Sequence, residues 1–281
     1  MPVAAVFRLK CLRAAKPPRA FRALFHPVFL ERMRRTDDRL GRILHDAGRN
    51  APYSLSPVWG TVDRNGRLLE NGTYRVRLGL LEDALEDALH LSLERGVWRE
   101  PIDLGGVPFV LEDLLLGESS EGGGCGRARY EDLWTAAEDA AAAVGRKGSL
   151  KVRVRFLSPM AFKRGDLHYP LPDVSLVTRH LTERWNAACP HAVPDPVGAA
   201  EISIARLKLE TSRYALRNGG TVIGAFGSVT YVAQGARESL TALHALLHFA
   251  AFSGIGVKTT QGMGQCAVSD TQDRRPVPGT A

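Results

Sequence analysis

The chain is 281 residues long and 44% hydrophobic, with 37 Lys and Arg against 30 Asp and Glu and a net charge of +7. This is the composition of a folded globule with room for one large domain or two ordinary ones, and the excess of positive charge, mostly arginine, suits RNA or DNA as partner. No apolar run reaches membrane-span length, the opening MPVAAVFRLKCLRAAKPPR lacks the unbroken apolar stretch of a signal peptide, and Cys11, Cys125, Cys189 and Cys266 form no pair of metal-ligand spacing. A soluble, reduced, cytoplasmic protein with no membrane contact, no cofactor and no metal is expected.

The first predicted element is a strand in AAVFRLKCLRA, where Val6, Arg8 and Lys10 alternate with Phe7, Leu9 and Cys11. Two short helices follow: Pro27 suits a first helical position, Phe29 and Met33 continue an apolar face, and Thr36 with Asp37 and Asp38 marks a fresh N-cap. YSLSPVWG and TYRVRLGLL read as strands, EDALEDALHLSLERG as a helix and VPFVLEDLLL as a strand. GESSEGGGCGR has linker composition, and YEDLWTAAEDAAAAV is an alanine-rich helix. The order β, α, β, β, α, β then begins again. Strand SLKVRVRFLSP carries Lys151, Arg153 and Arg155 on one face and Val152, Val154 and Phe156 on the other; helix DVSLVTRHLTERWNAA comes next. Strands EISIARLKLETSRYAL and TVIGAFGSVTYVA, hinged at RNGG, lead to helix ARESLTALHALLHFAAF and a short terminal strand, QCAVS. The repetition predicts an α+β protein of two tandem ferredoxin-like (RRM-like) βαββαβ domains. Their bounds are residues 1–116 and 149–270, with a linker and alanine-rich helix at 117–148 and a disordered tail at 271–281.

Between the last helix and strand, FSGIGVKTTQGMGQC places Gly254, Gly256, Gly262 and Gly264 as two G-x-G pairs around five residues. A loop that leaves a helix and enters a strand has the wrong polarity for a Walker loop or a dinucleotide fingerprint. Glycine serves positive φ or close approach, so exposed amides here, with Lys258, Thr259, Thr260 and Gln261, are expected to line a phosphate backbone. A tight turn with a solvated lysine is the plainer account. A second RNA-binding surface is expected on the hairpin, where Arg206 and Lys208 alternate and Arg213 and Arg217 flank the bend; its plainer account is a charged edge that discourages aggregation.

With Lys258 as the basic residue inside the glycine loop, and with RFLSPMAFKRGD, PDVSLVTRHLTERWN, VIGAFGSVTY and LHDAGRNAPYSLSP, the chain resembles a known family. These are the CRISPR-associated endoribonucleases of the repeat-associated mysterious protein superfamily, which cut the CRISPR precursor transcript into guide RNAs. The resemblance implies metal-independent cleavage within the repeat by 2′-hydroxyl attack, leaving a 2′,3′-cyclic phosphate and a 5′-hydroxyl. It implies precursor RNA and processed guide RNA as partners, with effector-complex subunits and a second copy of the chain as further options. The alternative is a non-catalytic RNA-binding or structural subunit of an effector complex.

Metal-free RNA cleavage needs a base for the 2′-hydroxyl proton, an acid for the departing 5′-oxygen and positive charge for the phosphorane. Histidine supplies the first two near neutral pH. In TDDRLGRILHDAG the stripe Leu40, Ile43, Leu44 and Ala47 leaves His45 roughly 140° around from Leu40, on the polar side and in the last turn before a cap expected at Gly48. An exposed surface histidine is an equal account of these residues; the resemblance favours His45 because the family's catalytic histidine commonly lies just before a PYSLSP-like strand. His26, expected at an N-cap before Pro27, is the rival. Tyr53 or Ser54 could orient ribose or phosphate. Relatives often carry a lysine where this chain has Ala51, so Arg49 is the substitute cation. His244 and His248 stand four apart as metal ligands would, but no third ligand is near in sequence, and packing beside the sheet is the simpler account. His90, His168, His180 and His191 carry no such signal.

Overall fold

In the computed structural model, which describes residues 1–116, 125–145, 148–196 and 200–271, the alternating N-terminal run becomes strand β1 (Val3–Cys11). Phe7, Leu9 and Cys11 are fully buried beneath helices α1 (Phe25–Thr36) and α3 (Asp83–Glu94), through Phe25, Phe29, Leu85 and Leu89. Between those helices lie α2 (Asp38–Asp46), β2 (Tyr53–Leu55), β3 (Trp59–Gly60) and β4 (Thr73–Leu80). Strands β5 (Ile102–Asp103), β6 (Pro108–Leu116) and β7 (Gly126–Arg127) complete a sheet in the order β2-β4-β1-β6-β5, with β3 on β4 and β7 on β1. Asp37, not Thr36, caps α2: its carboxylate accepts from Leu40 N at 3.1 Å, while Thr36 Oγ1 turns back to Arg32 O.

The second half contains α4 (Tyr130–Ala143), β8 (Leu150–Met160), β9 (Phe162–Arg164), β10 (Leu167–Tyr169) and α5 (Val174–Ala188). Strands β11 (Ala200–Ala215) and β12 (Thr221–Gly235), helix α6 (Arg237–Ser253) and β13 (Cys266–Asp270) complete it. Its antiparallel sheet runs β11-β12-β8-β13. In both sheets the first strand lies between the third and the fourth, so the chain is two tandem ferredoxin-like units. The alanine-rich helix α4 does not serve as a connector: Tyr130, Ala137 and Ala141 are buried in the second core, packed on α6. The glycine-rich stretch at 117–124, read above as a linker, and the tail from 272 lie outside the described residues.

The halves are joined where α5, α6 and the glycine loop meet β2. Ser54 Oγ donates to Phe252 O at 2.6 Å, and Arg77 Nη1 reaches Gln265 Oε1 at 3.4 Å. A small core of Ala23, Ala161, Tyr214, Leu216, Val222 and Met263 closes the seam. Among the described residues no helix is long and apolar enough to cross a membrane.

Candidate active site

Helix α1 starts at Phe25 with Leu24 as its cap, so His26 is the second helical residue and not the N-cap expected for it. With Phe25 and Phe29 in the core, His26 faces the second half of the chain, and its Nε2 shares a 3.0 Å hydrogen bond with the Tyr53 hydroxyl. Burial first, and then electrostatic interaction with Arg217, His45 and Lys258, hold this imidazole at about 4, below its ordinary 6.5. His26 is therefore neutral at pH 7 and able to take up a proton.

His45 is exposed in the last turn of α2. The apolar stripe is narrower than expected, since Leu44 is buried but Ile43 is 52% exposed. Ala47 is the cap, one residue before the expected Gly48, which takes φ +56°. The two rival histidines share one opening: adjoining cavities of about 630 and 710 Å³ are both lined by His26, His45, Lys258 and Gln261. Tyr53 lines one of them and Arg217 the other.

All four loop glycines have positive φ, from 68° at Gly264 to 98° at Gly262. What they approach is protein. A Cβ at Gly256 would lie 2.3 Å from Ala161 O, and one at Gly262 would lie 2.1 Å from the Tyr214 hydroxyl. Gly254, Gly256, Gly262 and Gly264 are buried, and the loop amides Ile255, Val257, Met263 and Gly264 donate to protein carbonyls. The glycines and amides expected to line a phosphate backbone face protein in this structure. Thr259 is buried too; Lys258 is exposed, with Thr260 and Gln261 half-buried beside it. The glycines thus fold the loop so that its middle presents Lys258 to the two histidines.

Arg184 fixes that arrangement. Fully inside the protein, it donates to Thr259 Oγ1 at 3.0 Å, Ala51 O at 2.9 Å and Tyr53 O at 3.2 Å, bracing glycine loop and β2 against α5. Burial pulls its guanidinium down to about 10, still charged at neutral pH. The sequence reading missed it, although a signal was present: Arg184 follows Leu181 by three on the face of α5 that also buries Val177 and Trp185. His168, His180, Arg179 and Glu183, also passed over, line the second cavity.

Ser54 does not reach the opening; its buried hydroxyl is committed to Phe252 O. Burial raises the Tyr53 hydroxyl above its ordinary value, keeping it a neutral hydrogen-bonding group. Ala51 is buried, and the side chain of Arg49 lies outside the described residues.

The basic hairpin residues separate by register. Arg206 pairs with Thr230 and so lines up with Arg153, and Lys208 pairs with Ser228 and lines up with Arg155, giving two cross-strand rows of cations on one face of the second sheet. Arg213, an odd number of residues along β11, falls on the opposite face, beside a separate cavity lined by Trp59 and Tyr74. Arg217 is the one residue of this group that joins the histidines.

Residues 154–266 match the family model of the CRISPR-associated endoribonuclease Cas6. A solved Cas6 (TTHB231) product complex superposes with a TM-score of 0.75 at 26% identity, over 96% of this chain and 99% of that one. The chain is similar to the Cas6 endoribonucleases, in sequence over residues 154–266 and in fold over nearly its whole length. Thermus thermophilus Cas6 (TTHB231) superposes with a TM-score of 0.68 at 25% identity, covering 96% of this chain and 98% of that one. The curated Cas6 of Mycobacterium tuberculosis is 32% identical over 133 residues, which is 46% of this chain and 42% of the relative, so the match spans less than half the length of either. The Cas6 family model takes in Arg184 and the glycine loop but neither His26 nor His45, whose place in the site rests on geometry.

Proposed function

We propose that this chain is an endoribonuclease that cuts CRISPR precursor RNA within the repeat, without metal, through the RNA's own 2′-hydroxyl. The observation that carries the reading is the convergence of His26, His45 and Lys258 on one opening. His26, neutral because it is buried among cations, accepts the 2′-hydroxyl proton. The freed oxygen attacks the adjacent phosphorus, and the bond to the 5′-oxygen breaks as His45 protonates it. Lys258, in place of the lysine missing at Ala51, balances the added charge of the phosphorane. A 2′,3′-cyclic phosphate and a 5′-hydroxyl result. The Cas6 relatives solved as product and substrate mimic complexes support RNA as the ligand, and the rows Arg206, Arg153 and Lys208, Arg155 offer its backbone a track. Two ferredoxin-like domains, at about 1–116 and 149–270, each contribute: the first holds both histidines and the second the cation.

The test is single-turnover cleavage of labelled repeat RNA in EDTA, with a second substrate carrying 2′-deoxyribose at the cut. Cleavage of the first and tight binding without cleavage of the second are expected. Scission of the deoxy substrate would make water the nucleophile, and binding of both without scission would make the chain an RNA-binding subunit.

A further inference from the structure

The two histidines of α6 that lacked a third partner in sequence acquire one in space. We propose that His244, His248 and Asp270 form a binding site for one divalent transition-metal cation of the zinc type. His244 and His248, one turn apart, stack with ring centroids 4.2 Å apart and planes 24° apart. Asp270, the last residue of β13, places Oδ1 3.0 Å from the Nε2 of each. The three ligand atoms lie within 4.8 Å of one another. Tetrahedral coordination with bonds of about 2.0–2.1 Å separates ligands by roughly 3.3 Å, so each His–Asp pair needs to open by only a few tenths of an ångström to admit the ion.

The donor set selects the metal. Two imidazole nitrogens and one carboxylate oxygen suit zinc, copper or nickel, whereas magnesium and calcium prefer sites made of oxygen. His244 is buried, while the side chains of His248 and Asp270 are 27% and 53% exposed, so the ion has protein on one side and a position for water on the other. One feature limits affinity. Coordination through Nε2 puts the proton of His244 on Nδ1, which is buried with no hydrogen-bond partner. Lack of such an outer partner typically costs about 10- to 100-fold in affinity, which points to a micromolar site.

The site lies apart from the histidines of the first half. Asp270 is four residues beyond Cys266 along β13, about 13 Å of strand, and the glycine loop precedes Cys266. The cation would tie the end of an edge strand to α6 and so steady the strand in which that loop ends. Its role is structural, in keeping with cleavage that needs no metal.

Tag-free, full-length protein should be titrated with zinc chloride by calorimetry, beside His248→Gln and Asp270→Asn. Wild type should take up one equivalent with micromolar Kd, and each variant should bind at least about 10-fold more weakly. At zinc about 100 times the wild-type Kd the wild-type Tm should rise by roughly 5–10 °C, with at most about half that rise in the variants and none with magnesium. If Asp270→Asn melts early without zinc, His248→Gln decides, since its part-exposed ring carries little packing. Zinc uptake by both variants equal to wild type, or no uptake by wild type at 100 times the expected micromolar Kd, would reduce the trio to a pair of hydrogen bonds and overturn the proposal.

Discussion

Replacing Gly262 by alanine separates a loop built to touch RNA from one built to fold against its own protein. Gly262 has φ +98°, where a Cβ costs about 1–3 kcal/mol. The added carbon would lie 2.1 Å from the Tyr214 hydroxyl, which donates to Gln261 O at 2.8 Å. Moving that ring forfeits a hydrogen bond of about 0.5–1.5 kcal/mol and overpacks the seam at about 1–3 kcal/mol. The sum is a destabilisation of about 2.5–7.5 kcal/mol, which should lower Tm by at least about 5 °C. Lys258→Gly is the paired control. Lys258 holds φ +57°, so glycine relieves backbone strain while freeing the unfolded chain, and Tm should stay within about 3 °C while RNA binding weakens by about one phosphate contact in its salt dependence. Differential scanning calorimetry and filter binding at two salt concentrations read the two effects. A Gly262→Ala protein that melts like wild type yet binds RNA poorly would refute the reasoning, and would return the glycines to the phosphate-approach role.

His26 makes stability depend on pH. Its folded value of about 4 lies below the unfolded 6.5, so the unfolded chain binds more protons between those pH values; stability is full above about 6.5 and falls, by up to about 3 kcal/mol, toward pH 4. Chemical denaturation at pH 4.5 and 7 should show a smaller drop in His26→Gln, and an unchanged drop would remove His26 as its source. Arg184→Ala should cost about 2–4 kcal/mol, because Ala51 O, Tyr53 O and Thr259 Oγ1 lose a buried donor, with Arg184→Lys recovering only part. Equal urea midpoints for Arg184→Ala and wild type would show that the brace carries no stability.

Much of the fold could be read along the chain because its signals are local. Alternation in β1 and β8, the apolar stripes of α5 and α6 and the repeated βαββαβ order each depend on neighbours within a few residues, and both sheets follow them. The glycine pairs and Lys258 were visible for the same reason. What local pattern could not supply was which group each of these residues would meet. The sequence offered His26 and His45 as rivals, 19 positions apart; packing α1 and α2 against the second half put both at one opening, and burial then held His26 neutral. Ser54 was a candidate to orient ribose or phosphate until α6 set Phe252 O over it, and Arg213 was grouped with Arg206 on one hairpin surface until register put it on the other face. His244 and His248 found Asp270 only because β13 returns beside α6, 22 residues after His248. The sequence by itself determined which segments are helix, strand and turn and which faces are apolar, because backbone propensity and side-chain periodicity are short-range. The tertiary structure alone decided which polar groups meet, which are dry and which stay charged, because contact and desolvation depend on segments that the chain keeps far apart until it folds.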